Sequence, residues 1–310
     1  MRCLVTGASG FLGSHLTRAL LQRGHVVTVL MRKSSRTDLL QDCLGSVRIV
    51  YGDLQNLHAL QFALASEPVE AAFHLAWQGV TAEHRNDPRQ ITENVKGSLN
   101  VWELLRQTGC RTWIGLGSQA EYGPHAGVLR EDTPTHPKTT YGVAKLAVGH
   151  LTQQLCSLTE MRYVWVRLLS AYGPGDDERH MIPSLASALL AGQRPRVTAG
   201  EQMWDYIYVE DAVAALCAML ESDAAGVFPL GSGTAVRLRS VIERIRDSMD
   251  PALQIGFGEV PYAPDQVMHL EADISRLKIA TGWEPKVSLE EGLRRTIEWH
   301  KMKGENDGSR

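Results

Sequence analysis

Short apolar runs alternate with longer stretches of helical period through the first half of the chain. The runs at 3–5, 26–30, 47–50, 71–75, 113–116 and 163–166 are rich in Val, Leu, Ile and aromatic residues and are bounded by glycine or polar turns. Runs of this kind predict strands covered on both faces. Between them, apolar positions recur at three- and four-residue intervals over 13–23, 57–65, 94–107 and 141–156, with a further helix at 182–191. Strand and helix taken in turn predict repeated βαβ units, hence an α/β fold with a Rossmann-type doubly wound parallel sheet.

Past residue 168 the alternation weakens, and Pro/Gly joints appear at 172–175, 192–195 and 260–264. The pattern predicts a smaller, interleaved C-terminal substrate lobe over the carboxyl ends of the strands, where open α/β sheets bind ligands. The expected division gives 1–168 to a dinucleotide-binding domain, with 205–225 returning to it through a helix at 209–220. Residues 169–204 and 226–300 make the lobe, and 301–310 a flexible tail.

Composition narrows the ligand more than the fold. With 32 basic and 35 acidic side chains the formal net charge is -3, a balance that argues against nucleic acid or an anionic membrane as partner and for a small polar ligand. Cys3, Cys43, Cys110, Cys156 and Cys217 are scattered, form no CxxC pair, and read as reduced thiols; no metal site is expected. The opening apolar run is too short for a signal peptide, and no stretch approaches 18 apolar residues, so a cytoplasmic protein is expected.

The first strand runs into Gly7-Ala-Ser9-Gly10-Phe11-Leu12-Gly13 and then into an amphipathic helix. Glycine there lets the backbone turn tightly, approach a pyrophosphate and pack helix on strand, while the helix N-terminus offers N–H donors. The second strand ends in Arg32 and Lys33 where an NAD site usually has a carboxylate. Two cations there predict a 2′-phosphate and so NADP(H); a basic loop facing solvent is the plainer reading. Asp53, followed by Leu54 after the third strand, is placed to accept from the adenine amino group or to cap a helix.

Tyr141 and Lys145 stand one helical turn apart on the same face. An ammonium so placed lowers the phenol's pKa, and the phenol then exchanges a proton with a carbonyl or hydroxyl oxygen. Ser118, at the end of a glycine-bounded strand, can hold the same oxygen; as an isolated residue it would equally satisfy a turn.

Taken in order, Gly7, Gly10 and Gly13, Asp53-Leu54, His74-Leu75-Ala76, Asn94 with Gly97, Ser118 through Gly123, Tyr141/Lys145, Arg167 with Tyr172-Gly173-Pro174-Gly175, Tyr208 through Asp211, Ala272-Asp273 and Gly282-Trp283 carry a likeness over nearly the whole chain. The sequence resembles the extended short-chain dehydrogenase/reductase family, in its NAD-dependent epimerase/dehydratase, sugar-nucleotide branch. The resemblance implies Ser118, Tyr141 and Lys145 as catalytic residues. It implies cofactor contacts at the glycine turn and at Leu75, Ala76 and Trp77, with Asn94, Tyr141, Lys145 and Leu168 beside them. A nucleotide-diphosphate sugar is the implied substrate, with Gln119, Ala120, Glu121, Ser170, His180, Arg194 and Trp204 toward it. It also implies a homodimer through the helix carrying Tyr141, with Val143, Leu146, Ala147 and His150 on that face.

Within the branch, dehydratases carry an acidic pair where this chain has Gln119 and Ala120, so dehydration is not expected. Epimerase-reductases pair a cysteine with a histidine; His180 is present, but Ala120 replaces the cysteine. The basic ending of the second strand favours a reductase over an epimerase that retains its cofactor. The expected activity is therefore NADPH-dependent reduction of a nucleotide-linked 4-keto-6-deoxyhexose at C4, with Tyr141 as proton donor. The sequence is most like 4-ketoreductases of the CDP-abequose synthase and GDP-6-deoxy-4-keto-mannose reductase kind. The alternative is a nucleotide-sugar 4-epimerase that retains NAD(P), and in another class a non-catalytic dinucleotide-binding regulatory subunit. Trp204 and Ala263 stand where the family has diphosphate arginines, which leaves Arg194, Arg196 and Arg237 as candidate donors.

Overall fold

A computed structural model describes residues 1–263 and 266–308, the side chains of 305–308 excepted. Strand β1 (Arg2–Thr6) enters the glycine turn and continues as helix α1 (Phe11–Gln22), followed by β2 (Val26–Met31) and β3 (Arg48–Tyr51). Helix α2 (His58–Ser66) leads to β4 (Ala71–His74), α3 (Lys96–Gln107) to β5 (Thr112–Ser118), and α4 (Thr140–Ser157) to β6 (Arg162–Leu168). The second half brings β7 (Ser170–Tyr172), α5 (Met181–Leu190), β8 (Arg196–Val197), β9 (Met203–Tyr208), α6 (Val209–Glu221) and β10 (Gly226–Leu230).

The main sheet is parallel, in the order β10-β6-β5-β4-β1-β2-β3. This is the Rossmann-type arrangement that the strand and helix pattern predicts, with the order reversing between β1 and β4. Side-chain alternation builds its two cores. In β1, Cys3 and Val5 join the layer that contains Leu16 and Leu20 of α1 and Leu216 of α6, while Leu4 joins Leu60, Trp102 and Leu105 on the opposite face. Both faces being covered explains why these strands read as continuous apolar runs rather than as alternation.

Close approach of α1 to the sheet depends on Gly13. A Cβ there would sit 2.1 Å from the carbonyl oxygen of Gly7, which itself has φ +75°, in the left-handed region.

The remaining elements are β11 (Ala235–Arg237), α7 (Leu238–Asp247), β12 (Gly256–Phe257), β13 (His269–Leu270), α8 (Ser275–Thr281) and α9 (Leu289–Gly308). A small sheet joins β9 to β7 and β13 in parallel and to β11 antiparallel. Asp205 of β9 ties this region together, its buried carboxylate accepting from Ser232 N and Oγ at 2.6 Å and from Gly233 N and Ala272 N at 3.1 Å. Burial raises its pKa, and these four donors pull the other way.

Three boundaries differ from the sequence pattern. The chain's return to the main sheet extends through β10, because Phe228 and Leu230 are buried beside β6 and belong with the sheet rather than the lobe. The helix expected from 94 begins as a wide π-turn over Gln90–Val95 before α3 takes over at Lys96. Residues 301–308, expected as a flexible tail, continue α9, and 309–310 lie outside the described residues.

Candidate active site

The carboxyl ends of β1, β5 and β6 open onto a cavity of about 690 Å³, roofed by α5, β9 and the residues Ala263, Gln266 and Val267. Its volume lies within the roughly 300–1,000 Å³ of small-molecule sites. Ser118 and Tyr141 form part of its wall.

Ser118 ends β5 and caps the short turn Gln119–Glu121: its Oγ accepts from Ala120 N at 3.2 Å, and Glu121 accepts from Ser118 N at 2.8 Å. Tyr141 lies in the first turn of α4, which begins because the Thr139 hydroxyl accepts from Gly142 N at 3.1 Å. Its own backbone N–H donates to the carbonyl of Arg85 at 2.7 Å, binding the loop after β4 to this helix. Lys145, one turn on, donates from Nζ to the carbonyl of Leu116 at 2.7 Å. Its ammonium sits 3.8 Å from the centroid of the Trp77 ring and 5.9 Å from that of Tyr141.

Burial dominates the electrostatics of the pair. It raises the Tyr141 phenol above its usual value, against which the facing Ser118 hydroxyl and the Arg85 guanidinium act. It brings Lys145 down to about 7, with Glu121 opposing. Lys145 therefore sits where modest changes in surroundings alter its protonation. His74 is buried and pushed down to about 3, by burial first and by Lys145 second. As a neutral ring it bonds Thr6 Oγ1 and Ser98 Oγ, each at 2.9 Å. Thr6 in turn accepts from Ala76 N at 3.2 Å, which fixes the 74–76 loop against the glycine turn.

A dinucleotide fits the turn between β1 and α1. Gly10 caps α1 without a side-chain hydrogen bond, leaving the first-turn N–H groups to meet an anion, and Phe11 and Leu12 face the cavity. Ser9 lies in the same turn, and Leu75 and Ala76 close against Gly7. Leu168 lines the cavity from β6. Asp53 spends one carboxylate oxygen on Gln55 N, at 2.9 Å, in a turn that Leu54 continues. Asn94 is buried and holds the loop backbone, accepting from Gln78 N at 2.9 Å and donating to Gln78 O at 3.0 Å.

Gln119, Ala120, Ser170, His180 and Trp204 all line the cavity, with Trp204 Nε1 donating to Ser170 Oγ at 2.7 Å. Two expected substrate contacts do not. Glu121 is fully buried and its oxygens are taken by Arg167, Trp165 and Ser118 N, so it supports the wall from behind. Arg194 is exposed and paired with Glu259, away from the cavity; Arg196 shares that partner, and Arg237 pairs with Glu201. The basic side chains that do reach the cavity are Arg85, Lys138, Arg179 and His180. Arg85 and Asp176 of the cavity wall, and Gln90 behind it, carry no motif along the chain. Only the spacing of Gln90 to Asn94, two amides four residues apart ahead of the helical run at 94–107, marked any of them. His180 Nδ1 lies 2.8 Å from Asp176, and this hydrogen bond raises its pKa.

Among the described residues no helix is long and apolar enough to cross a membrane, and no cluster of His, Cys, Asp or Glu could hold a metal ion. All five cysteines are free and buried.

Residues 3–231 match the NAD dependent epimerase/dehydratase family. The chain is 30% identical over 320 residues to the UDP-glucose 4-epimerase of Mycolicibacterium smegmatis, covering 98% of this chain and all of that protein. It is similar to the Thermus thermophilus UDP-glucose 4-epimerase solved in complex with NAD (TM-score 0.86, 26% identity, 97% and 99% of the two chains covered). It is also similar to MoeE5 solved in complex with UDP-glucuronic acid and NAD (TM-score 0.85, 29% identity, 98% and 100% covered).

Both of those structures hold NAD, and this overturns the NADP(H) expected from Arg32 and Lys33. The physical reason lies in how the two cations are placed. Both are exposed, and the nearby bond is from Arg32's backbone N–H to Ser35 Oγ at 3.1 Å, which shapes the turn without aiming either side chain. Specific recognition of a phosphate draws on charge-assisted, often bidentate hydrogen bonds of defined geometry.

Proposed function

The chain belongs to the NAD dependent epimerase/dehydratase family, and from that premise we propose that it is a nucleotide-sugar 4-epimerase that retains NAD. One observation carries the reading: Ser118 and Tyr141 face a single deep cavity at the end of β5, with Lys145 directly behind the phenol. The family's alternative of water elimination lacks its acid and base, since Gln119 and Ala120 occupy the two positions after Ser118.

NAD, when bound, would supply the hydride acceptor and donor for C4 of the sugar. The chain's own residues do the rest. Tyr141 Oη removes the proton of the C4 hydroxyl and gives it back, Ser118 Oγ donates to the same oxygen, and Lys145 supplies positive charge beside the phenol. The first turn of α1 would hold the pyrophosphate, with Leu75 and Ala76 against the adjoining ribose. The nucleotide half of the substrate is assigned to the side of the cavity built by Trp204, Gln202 and Gln266, and the sugar to the side with Gln119, Ala120 and His180. Two copies of the chain are proposed to join through α4, where Val143 and Leu151 are 45% and 42% exposed on one face.

The test is to release and identify the cofactor of the purified protein, then incubate it with UDP-glucose, UDP-galactose and their N-acetyl forms without added reductant. Interconversion at C4 with bound NAD supports the epimerase. Turnover of a 4-keto sugar only on stoichiometric addition of reduced cofactor would replace it with a reductase.

A further inference from the structure

We propose that Trp77 is a positioning residue whose indole face seats the Lys145 ammonium beside Tyr141. The inference rests on the reading that Tyr141 and Lys145 carry the proton chemistry, and it concerns a residue outside the cavity wall.

A buried lysine needs compensation for lost water. The carbonyl of Leu116 takes one of the three ammonium protons of Lys145. Glu121, the carboxylate that acts on it, is already committed to Arg167. The indole of Trp77 supplies the remaining contact, its centroid 3.8 Å from Nζ, well inside the range of a cation–π interaction. The same ring meets Tyr141 edge-on, centroids 6.0 Å apart at 87°, so it touches both members of the pair.

The ring is held from its far side. Trp77 Nε1 donates to Gln90 Oε1 at 2.8 Å, and Asn94 Nδ2 donates to the same oxygen at 3.0 Å. Gln90 Nε2 donates to the carbonyls of Gly79 and His84 at 2.7 and 3.0 Å, so the amide cannot turn without breaking two bonds. Both amides are buried on the π-turn at Gln90–Val95. Wide turns of this kind are uncommon and recur at functional sites. Here the turn sets two amides four residues apart so that both reach the loop carrying Trp77.

The charged and titratable groups that face the pair come from three other elements: His74 from β4, Glu121 from the turn after β5, and Arg85 from the loop after β4. None of them hydrogen-bonds the Trp77 indole, whose Nε1 donates to Gln90. Removing the indole should therefore lower the pH at which Lys145 loses its proton, by about one unit for a desolvated contact. Its loss of charge then removes the ammonium that stands 5.9 Å from the centroid of the Tyr141 ring.

Lys145 is titrated directly by NMR in protein labelled with 13C at lysine Cε, with Lys145→Met assigning the resonance. Trp77→Leu should move the midpoint down by about one unit, and Trp77→Phe, which keeps a ring face, should return most of it. An unchanged midpoint in a folded Trp77→Leu protein overturns the proposal. Should that variant fail to fold, Gln90→Leu leaves the ring in place but unheld; a downward shift there supports the proposal and no shift overturns it. The titration uses no substrate, so a shift without epimerase activity would remove the functional reading and leave this one standing. Activity with no shift would do the reverse.

Discussion

Arg167 Nε donates to Glu121 Oε2 at 2.8 Å, and the two side chains are 5% and 0% exposed, directly behind Ser118. The pair joins β6 to the turn that follows β5, and Glu121 also accepts from Trp165 Nε1 at 3.1 Å through both oxygens. The carboxylate thus holds the backbone of Ser118 on one side and a buried guanidinium on the other.

Removing one member leaves the other charged and unpaired. Glu121→Gln should destabilise the fold by about 3–5 kcal/mol, measured as a lowered urea midpoint. Glu121→Val combined with Arg167→Leu should recover only part of that loss, because two apolar side chains leave no buried charge but deprive Ser118 N and Trp165 Nε1 of their acceptor. A single variant as stable as the wild type would show the pair to be incidental.

Tyr141→Phe should abolish turnover while the purified protein keeps its full content of NAD, since the proposed mechanism gives the proton to the phenol hydroxyl and the cofactor to the glycine turn. Cofactor content after denaturation and rate of C4 interconversion are the two readings. Full activity in the variant would assign the proton to another group.

Replacing Arg32 and Lys33 together by alanine should leave NAD content and thermal stability unchanged, as both side chains are exposed on a solvated turn. Loss of the cofactor in the double variant would mean that the turn grips the adenosine half after all.

The Asp176–His180 pair predicts a pH dependence of stability. The hydrogen bond to Asp176 raises His180 above its ordinary value. A raised folded value means that its stabilisation is complete below the unfolded pKa of about 6.5 and is lost as pH rises through the folded value. The difference in melting temperature between wild type and Asp176→Asn should therefore be largest under mildly acidic conditions and shrink above neutrality. A difference that does not vary with pH would assign the pair a packing role alone.

What the sequence by itself determined is what depends on near neighbours along the chain. The spacing of apolar runs is enough for βαβ units, because a strand or helix is chosen by the period of its own residues. The glycine turn is legible because Gly7 and Gly13 meet conformational and steric demands within one turn of chain. Tyr141 and Lys145 are legible because a single helical turn separates them. Tertiary structure decided everything that required distant segments to meet. Glu121, read as a substrate contact, is turned inward by Arg167 and Trp165 from the adjacent strand, and Arg194 is drawn off by Glu259. Trp77 reaches Lys145 because a π-turn, invisible in the periodicity, aims Gln90 at its ring. Arg32 and Lys33 show the same limit from the other side. Sequence displays a charge, but only packing can aim it, and a ligand recognises the aimed group.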